Sequence, residues 1–93
     1  SEISNITSIN VSGKNLTSLK GVEFFGNLTA LDCSNNALPS LVLENNPKLN
    51  TLKCGTNKLI LLDVSNNPEL TYLSCSDNQL YRQGVRPKFV CRV

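Results

Sequence analysis

Residues 28–38 read LTALDCSNNAL, and the same pattern returns as LNTLKCGTNKL at residues 49–59 and as LTYLSCSDNQL at residues 70–80. Leucine, cysteine and asparagine hold the same places in all three segments, and each segment begins 21 residues after the one before it. A fixed period of this kind is typical of a structural unit stacked on copies of itself, because one unit cannot bury its apolar face alone. The sequence therefore predicts a stack of similar coils.

The shared pattern, L-x-x-L-x-C-x-x-N-x-L, is the strand signature of leucine-rich repeats. Alternation along a strand points the second leucine and the cysteine inward and the residue between them outward. Adjacent parallel strands lie about 4.8 Å apart, so equivalent residues form inward columns. An asparagine amide carries both a donor and an acceptor and can satisfy the backbone groups of the turn after each strand. The expected structural ladder therefore consists of Cys33, Cys54 and Cys75 beside Asn36, Asn57 and Asn78.

The return half of each unit has a short alternation at 41–43 and 62–64, followed by Asn-Asn-Pro at 45–47 and 66–68. No apolar period of 3.6 residues occurs there, and Asn-Pro favours a turn. The fold class is α/β by convention and β-rich in practice. We expect a right-handed leucine-rich-repeat solenoid of about four turns, with a parallel concave sheet and an extended or turn-like convex side.

The repeats also suggest the domain organisation. Residues 1–80 are expected to form the solenoid, with an atypical first repeat at 1–27 and regular repeats at 28–80. The return of the first repeat could hold one short helical turn, packed by Phe24 and Phe25. The period fails after residue 80, so residues 81–93 form either an irregular C-terminal cap or a poorly ordered tail.

The strand segment 31–36 (LDCSNN) and the Asn-Asn-Pro-x-Leu returns resemble the cysteine-containing 21-residue repeats of internalin J-like bacterial leucine-rich repeat proteins. The resemblance covers residues 3–80. It implies a protein that is secreted or attached to the bacterial surface and that binds proteins or glycans. The chain lacks a recognisable helical N-terminal cap, a wall-sorting signal and the usual number of repeats. We therefore expect a fragment or a minimal module.

Four cysteines raise the question of disulfide bonds. Cysteines 33, 54 and 75 lie within bonding distance on neighbouring parallel strands, but parallel Cβ directions disfavour the required torsion. A reduced, packed column is the favoured interpretation, because buried cysteine behaves as a small apolar residue. A bridge between Cys75 and Cys91 is the alternative. Metal binding is not expected, since the chain has no histidine.

Charge and hydropathy limit the classes of partner. Nine basic and seven acidic residues give a net charge of +2, which does not favour nucleic acid. The longest apolar run, at 59–62, is too short to insert into a membrane. The N-terminus has neither a starting Met nor a signal peptide, so the chain looks trimmed. No catalytic residue and no cofactor are predicted, because a nucleophile with a positioned base is missing.

Outward positions of the strands supply the candidate ligand-binding residues, Asp32, Lys53, Tyr72 and Ser74. Asp32 and Lys53 should lie side by side on adjacent strands and form a surface ion pair. A passive, wettable surface is the alternative. Outside the strands, Ile60 and Leu61 align with Pro39 and Ser40 of the preceding repeat and should be exposed, which marks a possible assembly edge for self-association.

The resulting functional prediction is a non-catalytic protein- or glycan-recognition module of a bacterial surface or secreted protein. The partner would bind on the concave face, since the open face of a solenoid suits extended surfaces. Two alternatives remain. The repeats could be a structural spacer, or they could be an accessory domain of a larger enzyme with no activity of its own.

Overall fold

The computed structural model describes residues 2–80, with side chains from residue 3 onward. Four strands form one parallel sheet in sequence order: β1 (Ser8–Asn10), β2 (Ala30–Asp32), β3 (Thr51–Lys53) and β4 (Tyr72–Ser74). The cap or tail expected at 81–93 lies outside the described residues.

The strand register follows the repeat. Ile9 pairs with Leu31, Leu31 with Leu52, and Leu52 with Leu73. Each coil is therefore offset from its neighbour by one repeat, which is 22 residues for the first pair and 21 for the next two. The prediction of a leucine-rich-repeat solenoid with a parallel sheet is confirmed.

Apolar columns at the repeat spacing form the core. Leucines that begin each unit are almost completely buried, at 0% exposure for Leu28 and Leu49 and 3% for Leu70. Full burial of a leucine side chain stabilises a fold by about 1.5–3 kcal/mol. The remaining buried apolar residues occupy the other columns, namely Leu31 and Leu52, Cys33, Cys54 and Cys75, Leu38 and Leu59, Leu41 and Leu62, Leu43 and Val64, and Val22.

The first coil is the least buried. Ile6 stands in the column of Leu28 yet is 39% exposed, and Ile9, Val11 and Leu16 are only partly buried. This coil has a packed neighbour on one side only within the described chain. In a stacked fold, a coil buries its apolar side chains fully only when another coil packs on each side of it. An apolar residue of the first coil therefore stabilises the fold less than the equivalent residue of an inner coil.

The return segments contain turns rather than strands or α-helices, as predicted. Asn46 N–H donates to Leu43 O at 3.2 Å, and the equivalent bond one coil later joins Asn67 N–H to Val64 O at 3.1 Å. In the first coil the return contains a 3-10 helix, Val22–Phe24, which matches the expected helical turn.

Phe24 does not pack into this turn. Val22 takes the inward place at 8% exposure, and Phe24 is 70% exposed. A 3-10 helix has three residues per turn, so in a helix of only three residues the side chains point in different directions. When Val22 faces the core, Phe24 faces solvent. The expectation that Phe24 packs inside the first repeat is therefore wrong.

At an equivalent position in all four coils, the chain leaves the sheet through one residue in the left-handed region. Its φ is 65° at Gly13, 58° at Asn35, 55° at Thr56 and 57° at Asp77. The first coil has an additional left-handed residue at Asn15, where φ is 58°. Glycine adopts this conformation freely and asparagine and aspartate tolerate it, but a β-branched threonine does so only under strain. The hydrogen bond from Thr56 N–H to Ser76 O (2.9 Å) helps to hold the strained residue in place.

Candidate functional site

Pairing of the strands brings the predicted ligand-binding residues onto one surface, here called the sheet surface. Asp32, Lys53 and Ser74 are successive register partners on β2, β3 and β4. Tyr72 pairs with Thr51 in the next row. Between these rows the leucines of the strands face the core, so the four predicted side chains face outward.

Tyr72 and Lys53 are the prominent side chains of the sheet surface. The Tyr72 side chain is 52% exposed, and the Lys53 ammonium lies 5.9 Å from the centroid of its ring. That distance is at the outer limit of a cation–π contact, about 6 Å. The pair places a cation and an aromatic face next to each other in solvent.

The predicted ion pair between Asp32 and Lys53 does not form. Asp32 Oδ1 instead accepts hydrogen bonds from Ser34 N–H at 3.1 Å and from Ser34 Oγ at 2.6 Å. These hydrogen bonds hold the carboxylate against the turn that follows its own strand. The prediction was wrong because register fixes which residues are neighbours but not which way their side chains turn.

The ladder asparagines join successive coils. The Asn57 side chain is 7% exposed, and its Nδ2 donates to Cys33 O (3.0 Å), Cys54 O (3.1 Å) and Gly55 O (3.3 Å). Its Oδ1 accepts from Leu38 N–H at 3.0 Å. One side chain thus satisfies backbone groups of two coils.

The other two ladder asparagines repeat this arrangement. Asn36 Nδ2 donates to Val11 O and Asn78 Nδ2 donates to Cys54 O, each at 3.0 Å and each across to the preceding coil. Their Oδ1 atoms accept backbone N–H groups of the same preceding coils. These residues hold the stack together and do not face a ligand.

A second row of asparagines lies in the return segments, where sequence reasoning assigned only turns. Asn46 and Asn67 are both 0% exposed. Asn46 Nδ2 donates to Val22 O and Phe25 O at 3.0 Å, and Asn67 Nδ2 donates to Leu43 O at 3.0 Å and Asn46 O at 2.9 Å. The 21-residue spacing of the two asparagines was the signal that could have revealed this row.

The redox state of the cysteines changes along the column. Cys33 and Cys54 are free thiols, and burial raises the pKa of each to about 12. Cys75 is disulfide-bonded, so the expectation of a fully reduced column is wrong at its last member. The argument from parallel Cβ directions applies only within the column, and Cys75 is at its end. The alternative pairing with Cys91 involves a residue outside the described range.

Two solved structures are similar to this stack of coils. The functional domain of internalin J from Listeria monocytogenes, which includes a cysteine ladder, has a TM-score of 0.84 and 36% sequence identity over 86% of this chain. Internalin C2 from Listeria monocytogenes strain 4b F2365 has a TM-score of 0.81 and 27% identity over 86% of this chain. The chain is an internalin-like leucine-rich repeat solenoid.

The internalin-like chain spans only part of these two proteins. It covers 18% of the internalin J domain and 36% of internalin C2. No protein-family model and no curated protein matches it.

The predicted assembly edge of the internalin-like chain is exposed. Ile60 is 56% and Leu61 is 52% exposed. Val42 of the preceding coil, which sequence reasoning did not single out, is 61% exposed beside them. Its place between the inward residues Leu41 and Leu43 was the signal for its outward direction. The three side chains line a groove of about 280 Å³.

The internalin-like chain has few groups suited to covalent or metal chemistry in the part that the structure describes. Over residues 2–80, no group of three or more His, Cys, Asp or Glu side chains could hold a metal ion. The two free thiols are buried, and a pKa of about 12 keeps them protonated at neutral pH.

Within this same described range, no helix has both the length and the apolar character needed to cross a membrane.

Proposed function

We propose that this internalin-like chain is a non-catalytic recognition module that binds a protein partner on its sheet surface. The pairing of Tyr72 and Lys53 carries the proposal. A tyrosine ring is among the groups that contribute most to protein interfaces once a partner buries it, and the adjacent lysine adds a cation beside it. Because β3 and β4 are held in register, the backbone positions of both residues are fixed before a partner binds, which lowers the ordering cost of binding.

The surroundings of these two residues favour an accessible contact surface. Ala30, Thr51 and Ser74 are small and half-buried, so they leave Tyr72 and Lys53 standing above the sheet. Asp32 adds a carboxylate whose second oxygen has no hydrogen-bond partner among the described residues. A complementary partner would place an apolar or acidic group over the tyrosine and lysine and a donor over the aspartate.

We also propose that this protein acts on the surface of a bacterium or in the medium around it. The disulfide at Cys75 supports this location, because such bonds form and persist in oxidising compartments. The free thiols at Cys33 and Cys54 are compatible with it, since burial protects them from oxidation.

The test is binding of the whole chain to immobilised host extracellular proteins and, in parallel, to a glycan array. Tyr72→Ala and Lys53→Ala should each weaken the captured interaction by about tenfold, equivalent to about 1.4 kcal/mol. Phe24→Ala is the matched control, because Phe24 is an exposed aromatic side chain outside the strands. Its affinity should stay within about twofold of the wild type.

Three results would reject this proposal. Binding that survives both substitutions would place the contact elsewhere. Binding to glycans alone, with the same dependence on Tyr72 and Lys53, would keep the surface but change the class of partner. No binding at all would favour the spacer or the accessory-domain alternative.

A further inference from the structure

A second surface, formed by the return segments, combines exposed aliphatic side chains with carboxylates. Its groove of about 280 Å³ is lined by Val42, Glu44, Ile60, Leu61 and Asp63, among others. A neighbouring depression of about 420 Å³ shares Val42 and Glu44 with it. We call the two together the return groove. No strand residue lines it, so it is separate from the sheet surface.

The apolar part of the return groove is a departure from the repeat. Ile60 and Leu61 stand where the preceding coil has Pro39 and Ser40. Both remain more than half exposed, and Val42 beside them is 61% exposed, so none of the three is needed to fill the core. Clustered exposed aliphatic residues mark binding surfaces more often than isolated ones.

The charged part of the return groove is predominantly acidic. Glu23, Glu44 and Asp63 line it, against Lys20 as the basic side chain among the described lining residues. This local excess of negative charge contrasts with the net charge of +2 of the whole chain. The groove therefore has its own electrostatic preference.

Two of the three carboxylates of the return groove accept hydrogen bonds within the chain, and none of the three forms an ion pair with a described cation. Glu23 Oε1 accepts Gly21 N–H at 2.9 Å. Asp63 Oδ1 accepts the N–H and the hydroxyl of Ser65 at 2.9 and 2.6 Å, and these hydrogen bonds lower the pKa of Asp63. At neutral pH Asp63 therefore keeps its negative charge.

We propose that the return groove binds an extended peptide segment of a partner protein in which basic and aliphatic side chains alternate. Aliphatic side chains of the peptide would cover Val42, Ile60 and Leu61, and basic side chains would reach Glu44 and Asp63. Alternation suits the groove because successive side chains of an extended peptide point in opposite directions. Charge complementarity selects a cationic segment over an anionic one.

The experiment measures fluorescence anisotropy of a labelled decapeptide that alternates arginine and valine, with the full chain as titrant. Two matched peptides replace arginine by glutamate or valine by serine. The arginine–valine peptide should bind at least about tenfold more tightly than either. Its affinity should fall as ionic strength rises, since the carboxylates are exposed to solvent.

Variants of the groove test the two contributions separately. Ile60→Ser with Leu61→Ser should weaken binding by about tenfold, and Glu44→Gln with Asp63→Asn by about fivefold. Phe24→Ser and Glu69→Gln are matched controls, because both residues are exposed and neither lines the groove. Each control should bind within about twofold of the wild type. Circular dichroism checks that every variant is folded.

Four outcomes would overturn the proposal. The first is a glutamate–valine peptide that binds as tightly as the arginine–valine peptide. The second is a set of groove variants that bind the arginine–valine peptide as tightly as the wild type does. A wild-type dimer that Ile60→Ser with Leu61→Ser converts to a monomer in sedimentation velocity would make a second copy the occupant, as the predicted self-association requires. Binding that begins only after Arg82, Arg86, Lys88 and Arg92 are changed to serine would make residues 81–93 of this chain the occupant.

Discussion

Replacement of Asn57 by alanine tests how far the ladder holds the coils together. The change removes three hydrogen bonds donated by Nδ2 and one accepted by Oδ1. The two N–H groups of the amide share three acceptors, so the change removes the equivalent of three full hydrogen bonds, and about 1 kcal/mol for each gives a loss of about 3 kcal/mol. The free energy of unfolding expected for 93 residues is about 5–14 kcal/mol, so this single change would remove a large part of it.

Alanine substitutions at two other asparagines allow the expected losses of stability to be ranked. Asn67→Ala removes two hydrogen bonds but also a buried Oδ1 that has no partner, so its cost should be smaller, about 1–2 kcal/mol. Asn66→Ala changes an exposed neighbour and should stay within about 0.5 kcal/mol of the wild type. The expected order of destabilisation is therefore Asn57, then Asn67, then Asn66.

Urea unfolding followed by circular dichroism measures all three variants under one condition. The midpoint should shift in the stated order while the slope stays constant, because the surface exposed on unfolding hardly changes. If Asn57→Ala cost no more than Asn66→Ala, the ladder amide would not be bonding two coils. The reasoning would then fail at its structural basis.

Three further changes test other parts of the fold. Thr56→Asn should raise the free energy of unfolding by about 1 kcal/mol in urea titration, because φ is 55° at this threonine; a loss of stability would show that its conformation is not strained. Gly55→Ala should add about 0.4–1 kcal/mol by restricting the unfolded chain, as its Cβ would meet Ser76 O at an ordinary 3.4 Å; a lower melting temperature would contradict this. Burial raises the pKa of Cys33 and Cys54 from 9.0 to about 12. The contribution of the protonated thiols to the free energy of unfolding is therefore complete below pH 9 and is lost as pH rises toward 12. The loss is about 1.4 kcal/mol per pH unit for each thiol. Unfolding titrations from pH 8 to 11 should show this decline, and Cys33→Ala with Cys54→Ala should flatten it; an equally steep decline in the double variant would assign it to other groups.

The repeat period made the architecture predictable. Leu31, Leu52 and Leu73 lie in the predicted parallel register because a 21-residue spacing leaves one way to align their apolar faces. The outward direction of Ile60 and Leu61 followed from the same alignment. The second asparagine row escaped notice because Asn-Asn-Pro already had a sufficient explanation as a turn, although Asn46 and Asn67 are 21 residues apart.

Side-chain direction was less predictable than backbone position. Asp32 and Lys53 are neighbours in the register, but Ser34 offers the carboxylate two short hydrogen bonds and Tyr72 offers the lysine a ring. Competition between such partners depends on rotamers that a repeat pattern does not encode. The disulfide of Cys75 likewise does not follow from the repeat pattern, which gives Cys33, Cys54 and Cys75 equivalent places in one column.

Stacking of successive coils underlies every structural feature described above, and nuclear Overhauser contacts between leucine methyl groups test that stacking directly. Leu52 should show contacts to both Leu31 and Leu73, since adjacent strands lie about 4.8 Å apart. Leu31 and Leu73 are two strands apart and should show none with each other. Contacts between Leu31 and Leu73, or none from Leu52 to either, would contradict the stacked solenoid.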